Sequence, residues 1–122
     1  MMMESLGTKD NIRVFETGAT RDSDDGKLDY EGFISPLALQ MFAEYMHKHR
    51  LQSDGGLRDS DNWQKGMPRN QYMKSLVRHV MDLWRVWRSV SDTDELIDLL
   101  CAIMFNVQGL LHETRLGRSI DE

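Results

Sequence analysis

The chain has a single cysteine, Cys101, among 122 residues. An internal disulfide and any zinc centre built on several thiolates are therefore excluded, and a reducing, cytoplasmic setting is expected. Proline is scarce too, with only Pro36 and Pro68. No apolar run approaches the ~18 residues of a membrane span. No basic stretch followed by an apolar one opens the chain, so neither a membrane nor a secretory role is expected. The phosphate-cradling pattern GxxxxGK[ST] is missing, which excludes a P-loop NTPase. No nucleophile elbow of the GxSxG type supports a Ser–His–Asp hydrolase. None of His47, His49, His79 and His112 is followed by aspartate, which argues against an HD-type phosphohydrolase.

An excess of positive charge is also lacking. Fifteen lysines and arginines face twenty acids, for a net charge of −5. Such a chain is a poor default binder of nucleic acid, and no nucleic-acid partner is expected. The distribution is more telling than the sum. Residues 71–90 hold four bases and one acid, whereas residues 91–122 hold two bases and seven acids. A basic segment followed by an acidic one suggests carboxylates for a cation, beside bases for an anion.

What is present fits one soluble domain: 40% hydrophobic and 29% charged residues, ordinary values for a globular fold. Residues 1–33 are polar and turn-rich, and read as an irregular arm. Asp22-Ser-Asp-Asp-Gly-Lys27 resembles a calcium loop only superficially. Its sixth position is Lys27 instead of glycine and its twelfth is Phe33 instead of glutamate.

A helical domain is expected over 34–116, with a C-terminal tail at 117–122. Ser35-Pro36 reads as a cap followed by proline at the first helical position. This first helix runs to about Arg50, with Ala38, Met41, Phe42 and Tyr45 facing the core. Residues 51–69 form a loop long enough to suggest a functional one. A second helix covers roughly 70–88, with Met73, Leu76, Val77, Val80, Trp84 and Trp87 as its apolar face. A third runs from Asp92 to about Glu113. Asp92 and Glu95 have capping-box spacing. This helix is apolar almost all round, so it is central or lies in an oligomer interface. No segment alternates with period two, so the expected class is an all-α bundle.

At about 100° per residue, Glu95, Asp98, Ala102, Asn106, Gly109 and Glu113 fall in one narrow stripe of the third helix. Carboxylates in greasy surroundings are costly unless paired or metal-bound. With small residues between them, they describe a lined cavity better than a packed seam. The plainer reading makes Glu95 a cap of the helix, Asp98 a solvated first-turn acid and Asn106 a satisfied core amide. His79 and Asp82 stand three apart on the second helix, with Lys74, Arg78 and Arg85 nearby. An i,i+3 pair on each of two antiparallel helices can converge on one point, and hard oxygen donors suit Mg²⁺ or Mn²⁺. Cys101, among apolar neighbours, reads as an inert core residue.

The E-x-x-D spacing of Glu95 and Asp98, preceded by a polar i,i+3 pair, resembles the metal motif of MazG-like all-α nucleotide pyrophosphohydrolases. His79 and Asp82 stand where that class carries two glutamates. A narrower resemblance runs over roughly 17–113. It is carried by Gly18-Ala-Thr-Arg-Asp22, Gly26-Lys-Leu-Asp-Tyr-Glu-Gly-Phe33, Phe42-Ala-Glu-Tyr-Met-His-Lys-His-Arg50, Asp59-Ser-Asp-Asn-Trp-Gln-Lys-Gly66, Arg78-His79 and Phe105-Asn106. In these stretches the chain resembles the phage-associated dATP/dGTP diphosphohydrolase family, whose better-understood members are MazG-like and of the MazZ type.

The resemblance implies hydrolysis of purine deoxynucleoside triphosphates to monophosphate and pyrophosphate in a host cytoplasm, by a homodimer or homotetramer. On this reading Asp82, Glu95 and Asp98 hold Mg²⁺ or Mn²⁺ with His79 close by, and the same three carboxylates are catalytic. Substrate contacts are expected from Glu44, His47, Lys48, Asn62, Trp63, Lys65, Arg78 and Asn106. Trp63 either stacks on a base or plugs the core as a lid residue. The alternative is a non-catalytic helical module that binds a nucleotide or a protein.

Overall fold

A computed structural model describes residues 12–89 and 92–120. The first eleven residues of the expected arm and the last two of the expected tail lie outside the described residues. The fold is mainly α. Its elements are strands β1 (Ile12–Val14) and β2 (Thr20–Asp22), then helices α1 (Tyr30–Phe33), α2 (Pro36–Lys48), α3 (Arg69–Trp87) and α4 (Thr93–Leu116), with a 3-10 turn at Asn62–Lys65. The chain divides into two compact units, with the division between Ser35 and Pro36.

The described part of the first unit is not wholly irregular, contrary to expectation. β1 and β2 pair antiparallel, with Arg13 opposite Arg21. Gly18, at φ +89°, closes the connection by donating to the Phe15 carbonyl over 2.9 Å. Each strand has only three residues and no clear alternation, so periodicity could not reveal it. Arg13 reaches Asp24 at 2.6 Å and lies 5.5 Å from the Phe15 ring centre. Asp29 caps the single turn of α1 by accepting from the Gly32 amide.

The second unit is a helical bundle in which α3 and α4 pack most extensively and α2 lies against α4. α2 starts at Pro36, as the sequence predicts, and Met41, Phe42 and Tyr45 are half-buried along one side. The connection over 51–68 is less loose than its glycines suggest. Leu51 and Leu57 form an isolated bridge, and the 3-10 turn follows. α4 is capped by Asp92, whose carboxylate accepts from the Asp94 amide at 3.0 Å. It runs three residues beyond the expected end and stops at Gly117, left-handed at φ +67°. A glycine after the basic Arg115 is the ordinary signal for such an end.

Of the stripe deduced for α4, Ala102, Asn106, Gly109 and Glu113 are buried, with Cys101 beside them, whereas Glu95 is exposed and Asp98 half-buried. At Gly109 the helices approach so closely that a Cβ would fall inside the Tyr72 ring. Tyr72 is 2% exposed and tilts against Phe105 at 5.9 Å. The C-terminal part of the stripe is therefore a packed seam and not the expected cavity lining, because Gly109 gives its space to an aromatic ring. Burial pushes the Cys101 thiol up, as befits an inert core thiol.

α3 turns differently from the expectation. Tyr72, Leu76, His79, Leu83 and Val86 lie on its buried or half-buried side. Met73, Val77, Val80, Trp84 and Trp87 are 44% to 72% exposed. The apolar stripe predicted for the core thus faces outward, and the side toward α4 includes Tyr72 and His79. α4 is also long and apolar enough to cross a membrane by length and composition alone. Its buried Asn106 and Glu113 mark it as the core helix of a bundle.

Candidate functional site

Near the start of α4 a cleft of about 580 Å³ opens between α3 and α4. His79 and Asp82 line it from α3, and Glu95 and Asp98 line it from α4. Both pairs are one helical turn long, so each presents two side chains on one face. Antiparallel packing then brings them to the same opening. Tyr45 and His49 border it from the end of α2.

Two of the carboxylates in this cleft, Asp98 and Asp82, already have cationic partners. Lys48 Nζ donates to Asp98 Oδ1 at 2.8 Å, with both side chains about half exposed. This hydrogen bond holds the Lys48 ammonium above its ordinary pKa. Lys48 also lies 5.7 Å from the centre of the Tyr45 ring. Burial, and then the charge of Asp98, pushes the Tyr45 hydroxyl up. One turn along α3, Arg85 pairs with Asp82. Tyr45 and His49 stack with ring centres 4.2 Å apart, so the α2 end forms a compact aromatic rim.

The donor chemistry of the cleft suits a divalent cation: the carboxylates of Asp82, Asp92, Asp94, Glu95 and Asp98, with the imidazoles of His49 and His79. His79 Nδ1 is buried and unpartnered, so that nitrogen is open to a ligand. As the side chains stand, however, no three His, Cys, Asp or Glu groups among the described residues are close enough to grip one ion. The expected convergence on a point is therefore not formed. The physical reason lies in the ion pairs, since Asp98 is drawn to Lys48 and Asp82 to Arg85. Asp82, Glu95 and Asp98 are the residues that would hold a cation once those contacts open.

Beside the cleft lies a larger cavity of about 690 Å³. Four rings, Phe42, Tyr45, Trp63 and Phe105, contribute to its wall. His47, Asn62 and Asn106, all expected to touch substrate, also line it. Asn106 is 4% exposed, and its amide donates back to the Ala102 carbonyl at 2.9 Å. It is thus a satisfied core amide and a wall residue at once. Trp63 is half-buried and meets the edge of His112 at 4.8 Å between ring centres. It lines the cavity from the 3-10 turn. Tyr45, His49, His79 and Ala102 border both the cavity and the cleft, so the two are contiguous.

Other expected residues stand apart. Glu44, Lys65 and Arg78 are exposed and line neither space. Lys48 does not line the cleft itself but meets its lining residues Asp98 and Tyr45. Sequence reasoning assigned Tyr45 to the core and gave His49 no role; their i,i+4 spacing was the available signal. It also missed the partner of Glu113. That carboxylate is 1% exposed and takes two hydrogen bonds from Arg118, Nε to Oε1 at 2.7 Å and Nη2 to Oε2 at 2.6 Å. These bonds hold the Glu113 carboxyl below its ordinary pKa. Arg118 also donates to the Gln64 carbonyl at 3.2 Å, tying the residues after α4 to the 3-10 turn.

No family model matches the chain, and neither a curated protein nor a solved structure matches it.

Proposed function

We propose that the protein is a metal-dependent pyrophosphohydrolase of purine deoxynucleoside triphosphates, built as a MazG-like bundle that self-association completes. The observation that carries this reading is the contiguity of an acidic cleft with an aromatic-walled cavity. A nucleotide has the same two ends, a flat ring and a string of anionic oxygens that travels with a cation. A cavity of about 690 Å³ falls within the ordinary range for small-molecule sites. Trp63, Tyr45 and Phe105 offer faces to a base, with Asn62 and Asn106 as polar contacts. The purine preference rests on the sequence resemblance, since a pocket that relies on stacking accepts either purine.

Magnesium or manganese, when bound, neutralises phosphate charge and makes a water more acidic. The chain's own groups do the remaining work. Asp82, Glu95 and Asp98 would hold that cation, whose charge would offset the repulsion between these carboxylates and the phosphates. A carboxylate takes the proton of the attacking water; Glu95 is the one of the three expected acids with no ion pair to a base. The water oxygen bonds to the α-phosphorus, the bond to the bridging oxygen breaks, and pyrophosphate leaves. Lys48 and Arg85, released from Asp98 and Asp82, are positioned to meet the phosphates.

Turnover of a panel of nucleoside and deoxynucleoside triphosphates with Mg²⁺ or Mn²⁺ tests the reading. dGTP and dATP should yield the monophosphate and pyrophosphate faster than dCTP. In ¹⁸O-labelled water the label should enter the monophosphate. Release of orthophosphate and a diphosphate would overturn the reaction class. A second reading, a nucleotide-binding module without catalysis, is favoured by the ion-paired state of Asp82 and Asp98. Saturable triphosphate binding with no metal-dependent product would select it.

A further inference from the structure

Residues 117–120 form a strap against the 3-10 turn that carries Trp63. Gly117, left-handed at φ +67°, ends α4 and turns the chain back. Arg118 then serves three acceptors with one planar fork. Its Nε donates to Glu113 Oε1 at 2.7 Å. Its Nη2 donates both to Glu113 Oε2 at 2.6 Å and to the Gln64 carbonyl at 3.2 Å. Glu113 is 1% exposed and belongs to the packed seam of α4. One side chain therefore ties the turn to a fixed point of the helical core.

A second contact holds the same turn. Gly66 ends it at φ +104°, a backbone conformation that favours glycine. A Cβ there would stand 2.7 Å from Ile120 Cδ1 and 3.2 Å from Arg118 Nη2, so strap and turn leave no room for a side chain between them. Within the turn, Trp63 rests its ring against His112, the residue before Glu113. Trp63 and Asn62 line the aromatic-walled cavity. Met67 borders that cavity and also a second one of about 410 Å³, which Arg118 and Ile120 help to wall. The stretch from Asn62 to Met67 thus has the ligand cavity on one side and the strap on another. Four residues of 3-10 helix with no side-chain cap have little order of their own. What holds the turn in place comes from outside it.

We infer that Arg118 is a positioning residue: it fixes the 3-10 turn so that Trp63 and Asn62 stand in the cavity wall, and through them it sets the affinity for a ligand bound there. Arg118 itself lines neither the cavity nor the cleft. Its effect is preorganisation, since a wall that is already ordered loses no further freedom when the ligand arrives. The placement of the turn stands on the contacts above, whereas the identity of the ligand rests on the triphosphate reading.

Arg118→Lys in the full chain tests it. Lysine keeps a cation beside buried Glu113, but a single ammonium on a flexible stem cannot reproduce the two parallel bonds of the fork together with the third to Gln64. The first readout is amide hydrogen exchange by mass spectrometry on peptides covering 59–68, where the amides of Asn62, Gln64 and Gly66 are bonded. Exchange there should quicken by roughly tenfold, as the loss of one hydrogen bond to a charged group implies, while the middles of α3 and α4 stay unchanged. The second readout is turnover of dGTP with Mg²⁺. KM should rise by roughly tenfold with kcat unchanged, because a wall contact binds ground and transition states alike. Ile120→Ala leaves the pair with Glu113 intact and should move both readouts the same way by a smaller factor; it decides the matter if Arg118→Lys does not fold. Unchanged exchange at 59–68 in the folded variants would overturn the inference, whatever the protein hydrolyses. Faster exchange with an unchanged KM would overturn it too, as would a fall in kcat alone. Absence of turnover in the unsubstituted chain would sink the triphosphate reading by itself; faster exchange at 59–68 would still support the placement of Trp63 by Arg118.

Discussion

At the C-terminal end of α4, Glu113 is 1% exposed and held by two bonds from one planar guanidinium. At the N-terminal end, Asp98 has a side chain 46% exposed and held by one bond from a flexible ammonium. The two acids belong to the same stripe of the same helix. Their difference comes from what packs over them. Tyr72 fills the space opposite Gly109, and Arg118 folds back over Glu113, so water is excluded and charge must be matched by fixed donors. Over Asp98 and Glu95 there is only the end of α2, and the space stays open. A carboxylate sealed by a bidentate partner is committed to structure. A carboxylate in an open cleft, held by a side chain that can swing away, can exchange that partner for a ligand.

The sharpest way to break this comparison is to neutralise acids at the open end. Glu95→Gln should lower kcat by roughly 10²–10⁴-fold if Glu95 is the general base. Asp98→Asn should be similarly inactive. Neither should shift the melting temperature appreciably, because Glu95 is exposed and Asp98 loses only a surface contact with Lys48. Full turnover in both variants, measured as pyrophosphate release, would remove the cleft from the chemistry. A marked fall in melting temperature would place these acids with Glu113 among the structural ones.

At the sealed end the expected effects are on stability. Gly109→Ala inserts a methyl where the Tyr72 ring lies, and overpacking of that kind costs about 1–3 kcal/mol. Helix propensity pulls the other way by about 1 kcal/mol, so the net loss is smaller than the overpacking alone. Chemical denaturation should show a lower midpoint with unchanged slope. A midpoint equal to or above that of the parent would mean that the Tyr72 contact is loose, and the seam would then be no different from the cleft.

Much of this division was legible in the sequence, and the failures have physical causes. Helix positions followed from caps, prolines and periodicity, and the burial of Ala102, Asn106, Gly109 and Glu113 on α4 followed from their angular clustering. The sequence could not say which way α3 turns. Its most apolar side, through Val77, Val80 and Trp84, was expected inward, but of that face only Leu76 turns inward, with Tyr72 and His79 beside it. Hydrophobicity identifies a face that avoids water; it does not distinguish the helix partner within one chain from a partner outside it. The candidate site was readable to the extent that helical spacing governs it, hence His79, Asp82, Glu95 and Asp98. Contacts that helical spacing does not govern were not. Arg118 stands five positions after Glu113, past the end of α4, and nothing near Asp98 announces Lys48, fifty positions away. Three short residues of β1 against three of β2 were likewise below the length at which alternation speaks.

The smallest expected effect, and the one most specific to the sealed end, is a pH dependence. The hydrogen bonds from Arg118 hold the folded Glu113 below the ordinary glutamate value of 4.5. The unfolded chain therefore takes up this proton at higher pH than the folded chain does. Stability from the pair is complete above about 4.5 and is lost as pH falls through that value and on through the lower folded one. Glu113→Gln cannot titrate. Near pH 7 the variant should melt below the parent, since it lacks the charge that matches Arg118. As pH is lowered below about 4.5 the parent loses this contribution and the two melting curves should approach each other. Because both proteins keep every other carboxylate, the difference between them isolates the one group. A gap that stays constant from pH 7 to pH 3 would mean that Glu113 titrates alike in both states. The contrast between the two ends of α4 would then rest on packing alone and not on charge.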